Sequence, residues 1–399
     1  MKPLCKPLLI GLVVVLTIAV AVQGEYVFFT PKGSYTVEVS LENSALRRLP
    51  MYRNAITSLE VVGDFAVGGT SSMPGLSPYV FAVSLSTRKL EFVQDLGELI
   101  PGQRAIQSGF GRGQKGVLFA GTMPDQAGGS GHLLQVRVGK ERLEVVDLGA
   151  PIKGEGVFAL TASREREELY GIAHPSGRFF VHELRTSRTQ VFDETVPSPK
   201  QLGFLSNYAL SPSDFLARRL IVNREGTVFG SMPVNRLFRF DPISRRVDVI
   251  SDELPEVWGR RPLGRVDAWA EGPDGLLYGG NAGDGQFFTL DPKTGRVTNL
   301  GKPIMMPRIK GLAFAADGTL YGVAGGEPGY THLFRYNPAD RGFVDLGNPR
   351  FTMTEPGIEQ GIAWRGFQIG SVAANEDGRW IVLGEEEALS QLMVFPAVD

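Results

Sequence analysis

Cysteine is nearly absent from this chain: of 399 residues only Cys5 is one. A disulfide framework, a thiolate nucleophile and a Cys-based zinc site are therefore excluded from everything beyond the first residues. Histidine is scarce too, with four copies, so each can be weighed singly. No stretch carries a sustained helical period, which excludes bundles and coiled coils. A strongly basic balance is missing as well. The chain has 41 Lys and Arg against 43 Asp and Glu, which is no nucleic-acid profile.

The one long apolar run lies at the start. Lys2 and Lys6 precede the apolar stretch Leu8 to Val22, and Val22-Gln23-Gly24 offers small residues before Glu25. This pattern reads as a secretory signal peptide over residues 1–24. A retained anchor is the competing reading, although the run is slightly short for a spanning helix. Cleavage would remove two of the basic residues and leave 39 against 43 acidic. Export without disulfides points to a secreted or periplasmic bacterial protein.

Glycine and proline are plentiful, at 50 and 26, as many short strands with tight turns require. Residues 25–399 hold one recurring unit. A polar residue opens an apolar run at Tyr79, His132, Arg178, Arg236, Gln286, His332 and Gln391, at intervals near fifty residues. Upstream sit Asp-Gly hairpins, clearest in Gly272-Pro-Asp-Gly-Leu-Leu-Tyr-Gly279 and Ala315-Ala-Asp-Gly-Thr-Leu-Tyr-Gly322. Downstream, Asp291-Pro-Lys-Thr-Gly295 and its relatives make a second turn. The unit then closes on Asp-Leu-Gly or Asn-Leu-Gly, as at Asp95, Asp147, Asn299 and Asp345. Four strands per fifty-residue unit, seven times over, predict an all-β, seven-bladed β-propeller in a single domain. The last unit lacks its fourth strand, so one of the N-terminal runs Tyr26-Val-Phe-Phe or Tyr35-Thr-Val-Glu-Val-Ser is expected to supply it and close the ring.

These phrases resemble secreted bacterial seven-bladed propellers: the virginiamycin-B-lyase-like and gluconolactonase-like propellers and the propeller polysaccharide lyases. The resemblance implies architecture and carries over no catalytic residue.

In such a ring the loops between blades and those after each second strand share one face. The inter-blade connections hold thirteen basic residues against nine acidic, which favours an anionic ligand there. Arg308 and Arg265 each lie nine residues before the Asp of their hairpin, and Arg104 and Arg53 occupy related places. With Arg260, Arg261, Lys310 and Trp258 they form the candidate ligand-binding set. A guanidinium fork suits carboxylates, and an indole stacks on a sugar. His174, Tyr208 and Tyr330 are the candidate acid–base groups. Against each stands the plainer role: arginines bridging neighbouring blades, loop residues in solvent, and His132, His332 and His182 as strand residues.

Three functions follow as expectations. The most specific is a polysaccharide-lyase-like or hydrolase-like enzyme acting on uronate-containing glycans. The second is a non-catalytic glycan- or protein-binding scaffold. The third is a metal-dependent lactonase. No cofactor is required, although Asp125, Asp284 and Glu327 could converge on a structural calcium. A monomer with no nucleic-acid partner and no membrane span after cleavage is expected.

Overall fold

The computed structural model describes residues 28–39, 55–72, 74–193, 195–256, 259–305, 307–325, 331–349, 368–386 and 391–397. The 1–24 segment lies outside them. No helix of the described residues is long and apolar enough to cross a membrane.

Seven antiparallel sheets of four strands follow one another along the chain. Their first strands are Ile56–Val62, Gly111–Arg112, Gly156–Ala162, Ile221–Val222, Val266–Glu271, Ile309–Phe314 and Ile369–Ala374. Residues from all seven line one axial cavity, so these strands are innermost and the sheets form a ring. The ring closes as expected. Tyr35–Glu38 pairs antiparallel with the last strand, Gln391–Pro396, placing Tyr35 opposite Val394 and Glu38 opposite Gln391. The other N-terminal run adds something the repeat does not announce. Phe28–Phe29 joins the outer strand of the sixth blade in parallel, making that sheet five-stranded.

The repeat's glycines have a packing cause. Gly68, Gly171, Gly230, Gly279 and Gly322 stand directly opposite Phe81, Phe180, Phe238, Phe288 and Phe334 on the third strand. A Cβ on any of them would come within 2.0 to 2.7 Å of that ring. The phenyl lies across the bare α-carbon, so ring and backbone pack tightly in the layer between blades. Blades two and seven do without the pair and place Ala120 opposite Leu134 and Leu383 opposite Met393.

The closing Asp-Leu-Gly phrase is a turn device. Asp95, Asp147, Asn299 and Asp345 each accept a hydrogen bond from the backbone N–H of the glycine two residues on, at 2.7–2.8 Å. Nδ1 of His132 and of His332 reaches the same aspartates, Asp147 and Asp345, at 2.9 Å. The two histidines therefore brace the strand end, in line with the plainer reading of them. His182, on the third strand of its blade, bonds Thr189 Oγ1 through Nδ1.

Candidate functional site: the axial channel

A β-bulge recurs in the innermost strands. Pairing skips one residue in five blades: Thr57, Phe158, Asp267, Lys310 and Gly370. A bulged residue leaves the ladder and can be aimed elsewhere. Thr57, Asp267, Lys310 and Gly370 all face a narrow axial throat, joined there by Gln107, Arg218, Arg219, Arg308 and Glu386. The space between them is only about 20 Å³, too small for an organic anion.

The throat is an ionic cluster. Asp267, 2% exposed, meets Arg265 Nε at 3.3 Å and Arg308 Nη2 at 3.6 Å. It also accepts a hydrogen bond from the backbone N–H of Arg218. Glu386 meets Lys310 Nζ at 2.5 Å and Arg218 Nη1 at 3.2 Å. Arg265 donates from Nη1 to the carbonyl of Asp214 at 2.5 Å. Burial alone would raise both carboxyls. The surrounding cations overcome it, lowering Asp267 and pushing Glu386 down to about 2. The arginines feel the opposite pull: burial lowers Arg265 and Arg219 despite the nearby acids. Five cations share two carboxylates, so the throat carries an excess of positive charge in a poorly solvated place.

The structure brings together three of the expected ligand residues, Arg265, Arg308 and Lys310. The nine-residue register that selected the two arginines is a true structural equivalence, since each lies just before its blade's first strand. The others lie elsewhere. Arg104 is exposed, on the short strand Gln103–Ala105 that pairs with Met123–Pro124 outside the blade. Arg261 is held by Glu253 and Glu256, so it plays the plainer structural part. Arg260 reaches the carbonyl of Gly283 at 3.4 Å. Tyr208 is 64% exposed at the end of a helical turn. Arg53, Trp258 and Tyr330 lie outside the described residues.

His174 is half-buried at the end of its blade's second strand. Its ring stacks on Phe158 with centroids 5.5 Å apart, and Nε2 lies 3.1 Å from Ser213 Oγ. Burial lowers its pKa; Glu155 opposes this and Arg104 adds to it. The imidazole is therefore mainly neutral at pH 7.

Among the described residues, no three or more His, Cys, Asp or Glu side chains gather to hold a metal ion. Asp284 is buried and caps its own turn, accepting from the backbone N–H of Gln286. Glu327 lies outside the described residues.

The sequence pattern does not flag Arg218, Arg219, Asp267 or Glu386. Their signal is faint but present. Counting seven residues back from the hairpin acids Asp64, Glu225, Asp274, Asp317 and Asp377 lands on Thr57, Arg218, Asp267, Lys310 and Gly370. In four of these blades a bulge frees that position to face the throat; Arg218 lies before the short first strand of its own blade.

Below the throat, toward the first hairpins, the channel widens to a cavity of about 450 Å³. One belt of its wall comes from a single register position: Leu59, Phe110, Leu160, Leu220, Trp269, Leu312 and Val372, one per blade. The belt is aliphatic and aromatic, and its one polar atom is the indole Nε1 of Trp269. Arg219 and Lys310 form part of the inner end.

No family model and no curated protein matches the sequence. Solved structures do match the fold. A streptogramin B lyase aligns with a TM-score of 0.60 at 9% identity, covering 91% of this chain and 98% of its own. A catalytically inactive virginiamycin B lyase from Staphylococcus aureus, in a structure with quinupristin, gives 0.58 at 9% identity, covering 92% and 100%. The Cps50 (Swd1) β-propeller domain of Myceliophteria thermophila gives 0.55 at 11%, covering 86% and 97%. At such identities the likeness shows architecture alone, and with the seven sheets it establishes the chain as a seven-bladed β-propeller like the virginiamycin B lyases.

Proposed function

We propose that this propeller binds an anionic ligand at the loop-face mouth of its channel, most specifically an acidic, uronate-containing glycan on which it acts as a lyase-like or hydrolase-like enzyme. The observation that carries the reading is the charge of the throat: five cations against two buried carboxylates. Arg265 and Arg308 stand at the loop-side ends of the fifth and sixth inner strands. Their field reaches any carboxylate arriving at that mouth. The reading includes export through residues 1–24, which would bring the protein to such polymers, and it calls for no cofactor.

In the lyase version a guanidinium neutralises the uronate carboxylate. A base takes the C5 proton, the electron pair forms the C4–C5 double bond, and the C4–O bond breaks as its oxygen is protonated. His174 is suited to the base by its depressed pKa, with Tyr208 or Tyr330 as the acid. The test is a panel of polygalacturonate, ulvan, glycosaminoglycan and alginate, followed by unsaturated-uronate absorbance and by titration calorimetry. Binding that weakens as salt rises, with turnover lost in H174A, supports the enzyme. Binding with no turnover leaves the non-catalytic scaffold. That second reading is favoured by one contact, since His174 Nε2 already lies 3.1 Å from Ser213 Oγ. No binding to any acidic glycan overturns the enzyme and the glycan-binding scaffold alike.

A further inference from the structure

The opposite half of the channel holds a different chemistry. Its inner end contains Arg219, and that arginine is out of place. At the same register position five other blades carry Ser58, Ala159, Ala268, Gly311 and Ser371. All are small, as the close approach of inner strands requires. The fourth blade alone puts a guanidinium there. Its Nη1 is buried and makes no hydrogen bond. Asp267, Glu60 and Glu386 act on it electrostatically, but each holds a cation of its own: Arg265, Arg112 and Lys310. A buried donor left unmade costs free energy that folding alone does not recover. Beyond it lies the apolar belt, and the indole Nε1 of Trp269, itself 9% exposed, is a second buried donor in the wall without a partner.

We infer that this cavity binds a small amphipathic monocarboxylate, with its carboxylate on Arg219 and its apolar body against the seven-residue belt. A volume of about 450 Å³ falls within the roughly 300–1,000 Å³ typical of small-molecule sites. A guanidinium pairs a carboxylate in bidentate fashion, most strongly where water is scarce. Entry is from the hairpin face. There a second cavity of about 560 Å³ shares Glu60, Arg112 and Glu271 with the first and runs out to the hairpin tips at Arg164 and Glu225. The two acids that line both cavities are already engaged: Glu60 with Arg112 at 2.6 Å, and Glu271 with the backbone N–H of Arg224 at 3.1 Å. The site shares only Lys310 and Arg219 with the throat and lies on the other face from the glycan reading, so either can fail alone.

The test uses the full chain with octanoate and 4-phenylbutyrate as probes, 1-octanol as the uncharged match, and a galacturonate trimer as the loop-face control. Calorimetry and thermal shift are the readouts. The wild type is expected to bind at least one of the two acids at least tenfold more tightly than octanol. R219Q is expected to abolish that preference while leaving octanol binding unchanged. Octanoate binding alone assigns an aliphatic body, and 4-phenylbutyrate binding alone an aromatic one. Equal affinity for acid and alcohol in the wild type, or no binding of either acid, overturns the proposal without recourse to any variant. An R219Q protein that keeps the acid preference overturns it as well.

Discussion

The guanidinium of Arg219 lies where a side chain on Gly109 would be: a Cβ built there comes within 1.6 Å of Nη1. Gly109 also sits at φ +72°, a conformation that disfavours L side chains. The second blade thus yields space to an arginine from the fourth. G109A should lose about 1–3 kcal/mol, part from backbone strain and part from the displaced guanidinium. A double-mutant cycle separates the two. In an R219A background the G109A cost should fall toward the backbone part alone, about 1–2 kcal/mol. Equal costs in both backgrounds would show that the two residues do not meet.

The glycine–phenylalanine pairs make a second prediction. Gly279 has Phe288 Cζ 2.5 Å and Trp269 Cζ3 3.0 Å from where its Cβ would be. G279A must push two buried rings at once, and overpacking of this kind costs about 1–3 kcal/mol. G275A is the control. Nothing lies within 4 Å of that position, and its φ is +79°, so the cost there is backbone strain alone. Chemical denaturation should show the G279A loss reduced in a Phe288→Leu background and the G275A loss unchanged by it.

That pair also shows what the sequence makes legible. Leu-Tyr-Gly and Leu-Phe recur because a phenyl ring and a bare α-carbon must meet in five of the seven blades, and a constraint repeated five times is visible in one sequence. Asp-Leu-Gly or Asn-Leu-Gly recurs for a similar reason, as a side-chain-to-backbone turn that four blades share. The throat is different. Arg218, Asp267, Lys310, Thr57 and Gly370 share a place and no chemistry. In all but Arg218 the position depends on a bulge that leaves no residue signature. Arg265 and Arg308 were readable because two blades happened to use the same residue. Glu386 was not, because its blade has no counterpart for it. Arg104 misleads by its distance from a Leu-Gly turn: the short strand around it is an insertion that shifts its blade's register.

Acid should unfold this protein by way of the throat. Glu386 is depressed from 4.5 to about 2 and Asp267 is also lowered. A carboxyl depressed on folding contributes stability that is present above its unfolded pKa and is lost as pH falls through the folded one. For Glu386 that contribution is on the order of 3 kcal/mol, present above about pH 4.5 and lost toward pH 2. E386Q leaves Lys310 and Arg218 without their carboxylate, so at pH 7 it should cost about 3–5 kcal/mol. Urea unfolding from pH 7 to pH 2.5 should show the gap between wild type and E386Q narrowing below pH 4.5. A gap that stays constant would mean the Glu386 carboxylate has its ordinary affinity for protons.

Ring closure makes the last prediction. The strand Gln391–Pro396 is buried along most of its length, and among the described residues its one outer partner is Tyr35–Glu38. Val37 and Val39 also pack into the cluster between the seventh and first blades. The hydroxyl of Tyr79 in the first blade donates to the carbonyl of Val39, and that of Tyr35 to the carbonyl of Leu85 at 3.1 Å. One short segment thus holds the two terminal blades to each other. A chain beginning at residue 41 would expose a flat apolar edge where the ring meets, and such edges recruit other chains. It should show a lower unfolding midpoint and concentration-dependent association by light scattering. A peptide of residues 28–40 added in trans should restore both, because an exposed edge accepts a strand by backbone pairing. A truncated chain that stays monomeric at the full-length midpoint would show that closure rests on packing between blades and not on this strand.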